Sequence, residues 1–500
     1  PNMQQKLLQL CSDQNLPTPL VDFIKNDEQK LLCLYGGQHC MYQNRVTDDM
    51  FAQIAQILIQ LNRPRIFLDL GNNKLTNDAL TTVIQLYNAI HFDGISLKQN
   101  NLTEQCTLLI DFLQICALKY LDLSDNPLNS LTEQIVSTIF HSPQLHFGIN
   151  AQQQTAFGSL QLLNLANTGF TGQAAILLSE LLKSRFCGLQ ELDLSHLRIH
   201  DPQTSLIIES LRFNTSLQSL KLKNSNISAP LAANLVQNLV AVVPTESRIQ
   251  ILTENEQIIE KMEQMSKLQL RNGQMENMPK VLIKGKSVTP LQYLDLSGNP
   301  CGFDVCFALQ KHLGLKESQL KVLVLDGVRV QNQGASALAE GLVEYQLSGF
   351  GEQTDQHPNQ QHPNQYPIFG FINTEIGYDQ TYKQITIQTL LQKAQKSTGF
   401  CLSLRRCAIQ AQGLSSLAVC CKLNKQIQLC LLEGNDFQVQ YLKNTAFHAQ
   451  LEWETTCEVR LQQKSLLKVD FGFERAINEK GRLLQFREHG MKVLGFGLFE

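Results

Sequence analysis

Leu118-Lys119-Tyr120-Leu121-Asp122-Leu123-Ser124-Asp125-Asn126-Pro127-Leu128 decides the fold, because the chain writes it twice. Leu291-Gln292-Tyr293-Leu294-Asp295-Leu296-Ser297-Gly298-Asn299-Pro300-Cys301 repeats it almost residue for residue, far away in sequence. The shared pattern is apolar, any, apolar, two residues, a small or polar residue, any, apolar. An apolar-x-apolar pair reads as a short strand whose alternate side chains point inward while the residue between them faces out.

The pair recurs at Leu68, Ile95, Leu163, Leu192, Leu220, Leu323, Leu402 and Cys430. An earlier copy, Leu32-Cys33-Leu34, rejoins the pattern at Val46-Thr47-Asp48-Asp49, and a poor last copy starts at Val469. The uninterrupted intervals are 27 (Leu68 to Ile95), 26 (to Leu121), 29 (Leu163 to Leu192), 28 (to Leu220), 29 (Leu294 to Leu323) and 28 (Leu402 to Cys430). A fixed period of this size means that each repeat is one supersecondary unit that buries its apolar side only by stacking on the next.

Asn73, Asn100, Asn126, Asn299 and Asn435 follow the strands, where a short amide pairs backbone groups that the turning chain leaves open. Thr168, Leu197, Ser225, Val328 and Cys407 replace them elsewhere, so those turns are expected to be less well satisfied or closed by other means. Apolar residues at helical spacing come next, as in Ala79-Val83-Leu86, Ala174-Leu177-Leu178-Leu181 and Ala335-Leu338-Ala339-Leu342. Thr76, Thr103, Thr171 and Ser228 stand where helix N-caps are expected. A strand plus a helix every 28 or so residues is an α/β solenoid, and helices need more room than strands, so stacking bends it.

The strand, the Asn or Cys position and the long helical half resemble the ribonuclease-inhibitor-like class of leucine-rich-repeat proteins. That class also includes the sensor arms of NOD-like receptors and the Ran GTPase-activating protein. The resemblance covers nearly the whole chain and implies a horseshoe with parallel strands on the concave face and helices on the convex face. It carries a shape and not a ligand.

The expected organisation is an N-terminal helical cap over residues 1–29, with Leu7-Leu8-Leu10 and Leu20-Val21-Phe23-Ile24 as its apolar positions. Repeats follow over 30–345, interrupted near 141–155 and 244–288. The interval from Leu220 to Leu294 is 74 residues, room for a degenerate repeat at Ile249 or at Leu268. An inserted Pro/Gln-rich segment takes 346–395 and carries the tandem Gln356-His357-Pro358-Asn359-Gln360 and Gln361-His362-Pro363-Asn364-Gln365. Proline cannot continue a helix or a ladder, so this segment leaves the solenoid and supplies a second contact region. Within it Tyr366-Pro367-Ile368-Phe369-Gly370-Phe371 and Tyr378 to Ile387 together read as an ordered hairpin, the repeats resume over 396–470, and 471–500 caps the end.

The 500 residues carry a net charge of −3, too little for a field that drives nucleic-acid or anionic-membrane binding. Hydrophobic residues make up 43% and aromatics 7%, so the core is aliphatic. A membrane helix needs about 18 uninterrupted apolar residues. The nearest stretch, Leu231 to Val243, is broken by Asn234, Gln237 and Asn238, and no secretory signal opens the chain. Fourteen cysteines without a CxxC pair read as reduced core thiols and a cytoplasmic, reducing compartment. The sequons at Asn101, Asn214 and Asn226 then read as chance matches.

Chemistry finds no footing in the sequence. His196 and His200 lie four apart but in a strand-and-turn segment, where that spacing does not bring two ligands together. His39-Cys40 and the two His-Pro-Asn copies lack further ligands at metal-site spacing. Cys407 follows Arg405-Arg406, yet it occupies the turn position of a repeat and reads as a structural thiol. Nucleotide and hydrolase signatures are absent. No catalytic residue, cofactor or metal is assigned.

Asp69, Asp122, Asp193 and Asp295 all fall in the middle of the apolar-x-apolar pair and line up on the concave face. Lys221 shares that row, and Lys98, Lys223, Asp326 and Arg405 occupy neighbouring outward positions. This alternation in sign suits one protein partner better than a polyanion. The expected function is a non-enzymatic protein-binding scaffold acting through these residues. Two alternatives stand beside it: an effector that an intracellular bacterium delivers into the host cytoplasm, and a structural subunit of a eukaryotic cytoskeletal or ciliary assembly.

Overall fold

The computed structural model describes residues 3–37, 41, 45–142, 160–184, 187–197, 201–239, 290–314, 318–343, 400–410, 412–414, 416, 417, 420, 424, 427–432, 435 and 458–460. Packing divides the described residues into a first unit, up to Gln218, and a second unit from Ser219 onward.

The first unit opens with α1 (Met3–Asp13) and α2 (Thr18–Lys25), the two short amphipathic helices expected there. Leu7, Leu20, Phe23 and Ile24 are buried, and α2 packs beside the first strand. Strand and helix then alternate: β1 (Leu31–Cys33), α3 (Asp48–Leu61), β2 (Phe67–Asp69), α4 (Ala79–Ile90), β3 (Gly94–Ser96), α5 (Leu108–Ile115) and β4 (Tyr120–Asp122). They continue through α6 (Leu131–His141), β5 (Leu162–Asn164), α7 (Gly172–Lys183), β6 (Glu191–Asp193) and α8 (Asp201–Ser210). Each strand pairs in parallel with the one before it, and the register aligns Leu32, Leu68, Ile95, Leu121, Leu163 and Leu192 in one row. Consecutive helices from α3 to α8 pack on each other to form the second layer.

The second unit repeats the plan with β7 (Ser219–Lys221), α9 (Ala229–Asn238), β8 (Tyr293–Asp295), α10 (Asp304–Leu313), β9 (Val322–Val324), α11 (Gln331–Val343), β10 (Phe400–Ser403), β11 (Ile427–Leu431) and β12 (Glu458–Arg460). Its register row is Leu220, Leu294, Leu323, Leu402, Cys430 and Val459. Every start read from the sequence up to Cys430 therefore sits in a ladder. Burying each such leucine contributes about 2 kcal/mol, but only once the neighbouring repeat closes over it.

One expectation is corrected. The 74-residue interval adds no repeat to the sheet, because β7 and β8 pair directly with Leu220 opposite Leu294. The sequence reading also passed over a strand: β12 (Glu458–Arg460) joins the ladder after β11, with Val459 paired to Cys430, 29 residues after it. The stretches 143–159, 240–289 and 344–399, Val469 and the expected cap over 471–500 lie outside the described residues.

The asparagine row does what its chemistry suggests. Asn126 Nδ2 donates to the carbonyls of Leu97, Leu123 and Ser124 at 2.9–3.1 Å, and Oδ1 accepts from the amides of Asn100 and Leu102. One side chain thus ties its own turn to the repeat before it. Asn73, Asn100, Asn299 and Asn435 bond in the same way. Where the amide is missing, other donors serve. The Thr168 hydroxyl donates to Leu165 O at 2.8 Å, and the Cys407 thiol points to Leu325 O at 3.0 Å.

The residue just before this position takes the left-handed conformation in repeat after repeat: Asn72, Gln99, Asp125, Asn167 and His196 in the first unit, Asn224, Gly298, Gly327 and Arg406 in the second. Of the expected N-caps, Thr171 accepts from Ala174 N, and Ser228 holds the position without a side-chain bond. Thr76 and Thr103 precede their helices and accept from the amide two residues on, while bonding Asp48 and Asn77 of the previous repeat. None of the described cysteines forms a disulfide, and all but Cys33 are buried.

Candidate functional site

The strands present their outward residues in register. In the first unit one row runs Cys33, Asp69, Ser96, Asp122, Asn164, Asp193 across six neighbouring strands. The row before it runs Leu31, Phe67, Gly94, Tyr120, Leu162, Glu191. Gly94 is required here, since a Cβ would come within 2.7 Å of both Phe67 and Tyr120. In the second unit the corresponding rows hold Lys221, Asp295, Val324 and Ser403, and Ser219, Tyr293, Val322 and Cys401.

The carboxylates of the main row have a local task. Asp69 accepts from Gly71 N, Asp122 from Ser124 N, Asp193 from Ser195 N and Asp295 from Ser297 N, all at 2.9–3.0 Å, and Asn164 does the same for Ala166. Each side chain closes the turn that ends its strand. The hydroxyls of Ser124 and Ser297 add a second donor at 2.7 and 2.5 Å. The sequence signal for this was the small residue two places on, in Asp-Leu-Ser and Asp-Leu-Gly, which the reading of a charged row passed over.

Exposure then separates the nine residues. Asp122 and Asp295 are buried at 0% and 2%, so their carboxylates lie beneath the surface. Asp69, Lys98 and Asp193 in the first unit, and Lys221, Lys223, Asp326 and Arg405 in the second, are partly exposed. Lys98 lies 3.7 Å from Asp125, and Arg405 holds Asp326 through Nε at 2.7 Å while its own backbone amide donates to the same carboxylate. Ser403 completes that cluster at 2.6 Å. The sign of the charge follows the units. Asp69, Asp122, Glu191 and Asp193 stand against Lys98 in the first, and Lys221, Lys223 and Arg405 against Asp295 and Asp326 in the second.

Burial shifts the titration of this face. The Asp69 carboxyl is pushed up by burial, against the pull of its hydrogen bonds and of Lys98. Asp122 is pushed up to about 7 by the same cause, with Lys98 and Ser124 opposing and Asp193 adding to it. Burial likewise raises the thiols of Cys106 and Cys301 to about 11 and that of Cys116 to about 12, and pushes Cys407 well up, the reverse of what a nucleophilic cysteine needs. Among the described residues no group of three or more His, Cys, Asp or Glu side chains could hold a metal ion, and no helix is long and apolar enough to cross a membrane. His196 is an exposed turn residue with φ +62°, and His200 is outside the described residues.

A family model for the leucine-rich repeat matches residues 117–141, the stretch that forms β4, its asparagine turn and α6. The chain has the leucine-rich-repeat fold. It is similar to mouse (Mus musculus) ribonuclease inhibitor, 26% identical over 294 residues. That match covers 57% of this chain and 57% of the relative, so the chain spans little more than half the length of the curated relative it matches.

Proposed function

We propose that this leucine-rich-repeat protein is a non-enzymatic scaffold that binds a protein partner through the outward rows of its strands. The observation that carries this reading is the register: side chains on adjacent strands are already fixed side by side, so contact with a partner costs little ordering. The partly exposed charges Asp69, Lys98 and Asp193 in the first unit, and Lys221, Lys223, Asp326 and Arg405 in the second, are the proposed contacts; each unit carries both signs, which favours a protein over a polyanion. The relative it resembles is by name an inhibitor of a ribonuclease, itself a protein.

The test is affinity capture with the full chain in three forms. Asp69→Lys with Asp193→Lys, and Lys221→Glu with Lys223→Glu, reverse charge on the strand face; Glu180→Lys reverses it on the exposed side of α7. Partners that bind through the strand face are lost from at least one of the first two forms and kept by the third. If every captured protein survives both strand-face reversals while the variants remain folded, the reading is wrong.

A further inference from the structure

Asp122 is the most enclosed charge-bearing group of the first unit's strand face, at 0% exposure. Its Oδ1 accepts from the Ser124 amide at 2.9 Å and the Ser124 hydroxyl at 2.7 Å, and its Oδ2 faces the Ser96 hydroxyl at 3.4 Å. All three donors are neutral. The cation on this face, Lys98, lies against Asp125 at 3.7 Å, and across the strands stand further acids, Asp69 on β2 and Glu191 and Asp193 on β6. The flanking strands β3 and β5 offer Ser96 and Asn164 in register; β4 itself adds Tyr120, and β1 the Cys33 thiol, which donates to Asp69. A carboxylate closed off from water and held by neutral donors is costly to ionise, and like charges two strands away add to that cost.

We propose that Asp122 is a proton switch in the strand face of the first unit, neutral on the acid side of physiological pH and ionised on the alkaline side. The Ser124 hydroxyl is placed to serve both states, because it rotates to donate to the carboxylate or to accept from the carboxylic acid. The face therefore carries one more negative charge in alkaline than in acid solution, set between Asp69 and Asp193. This inference does not depend on the protein-binding reading, and its test needs no partner.

Infrared difference spectra of the full chain between pH 5.5 and 8.5 read the carboxylic-acid C=O band directly. The expected result is a band that disappears with a midpoint near 7 and is missing from Asp122→Asn, which keeps the acceptor for Ser124. The wild-type spectrum alone decides the first part, so the test survives a variant that folds poorly. A carboxylic-acid band already gone by pH 5.5, or one that titrates near 7 unchanged in Asp122→Asn, overturns the proposal. The thermal midpoint gives a second reading. Asp122→Asn is expected to melt higher than the wild type at pH 8.5, and the difference is expected to shrink as the pH falls toward 5.5.

Discussion

At the scale of single residues the stability of the stack is concentrated at the post-strand asparagine. Removing the Asn126 amide leaves the backbone amides of Asn100 and Leu102 and the Leu123 carbonyl short of a partner in a site with no water access, while Leu97 O keeps Asn100 Nδ2 and Ser124 O keeps Gln99 N. Each orphaned group costs about 1–3 kcal/mol, so Asn126→Ala is expected to lower stability by about 4 kcal/mol. Thr168→Ala, which loses a single 2.8 Å bond, is expected to cost about 1 kcal/mol. Urea midpoints of the two variants check the ratio, and equal losses would contradict the ladder. Glycine gives a second pair. Gly298 has φ +68° and a Cβ there would meet Asn224 Oδ1 at 1.8 Å, whereas Gly302, at φ +59°, has open space around it. Gly302→Ala is expected to cost about 1 kcal/mol from backbone strain alone. Gly298→Ala is expected to cost at least twice that, by the same measurement. The asparagine row was legible because its chemistry is stated by one residue type at one position. The left-handed turn before it was not, since Asn, Gln, Asp, His, Gly and Arg all occupy it and no residue type marks it.

At the scale of elements the apolar-x-apolar pairs located the strands because an inward leucine has to meet the one beside it. That logic failed for β12, where Glu458-Val459-Arg460 offers a single apolar residue between two charges, and the spacing from Cys430 was the signal left. It failed as well between Leu220 and Leu294. Chain length does not say whether extra residues extend a ladder or hang outside it, and the direct β7–β8 pairing answers that. Docking of α2 was hidden for another reason, since it depends on Arg63, which no pattern singles out. The guanidinium donates to Phe23 O at 2.6 Å, Ile24 O at 3.0 Å and Asn26 O at 2.9 Å, pairs with Asp27, and stacks 4.9 Å from the Phe23 ring. It closes the carbonyl end of α2, where a cation is favoured. Arg63→Ala is expected to cost about 2–3 kcal/mol and to raise amide exchange across α2 before the strands. Arg63→Lys should rescue little, because one ammonium cannot serve carbonyls spread over four residues. Exchange rates in α2 that match the wild type in Arg63→Ala would show that the helix docks by its apolar face alone.

At the scale of the whole molecule, the candidate face was legible as a list of outward positions and illegible as a surface. Sequence placed Asp122 and Asp295 beside Asp69 and Asp193 as equals, but Asp122 and Asp295 are buried, each accepting from a serine hydroxyl below the surface. Burial also sets how the protein answers to pH: it raises Asp122 and Asp69 in the first unit and lowers His312 in the second. Asp122 has a folded value raised to about 7 against an unfolded value of about 3.9, so its contribution is full at low pH and lost as pH rises between those values. His312 works the other way. It is 4% exposed, its Nε2 meets Ser318 Oγ at 3.1 Å, its Nδ1 has no partner, and burial lowers it to about 4. The unfolded imidazole takes its proton near 6.5, so stability is full above that pH and falls as the solution is acidified toward 4, by up to about 1.4 kcal/mol per pH unit. In the wild type the two slopes oppose each other between pH 4 and 6.5. Asp122→Asn is expected to expose the acid-sensitive slope, and His312→Gln, which keeps an amide for Ser318, the alkali-sensitive one. Urea unfolding from pH 5 to 8 measures both. If the two units unfold as one, both substitutions move a single transition; if they unfold separately, Asp122→Asn moves the transition of the first unit and His312→Gln that of the second. A wild-type acid limb that persists unchanged in His312→Gln would remove the imidazole from the account and leave the acid sensitivity to the carboxylates.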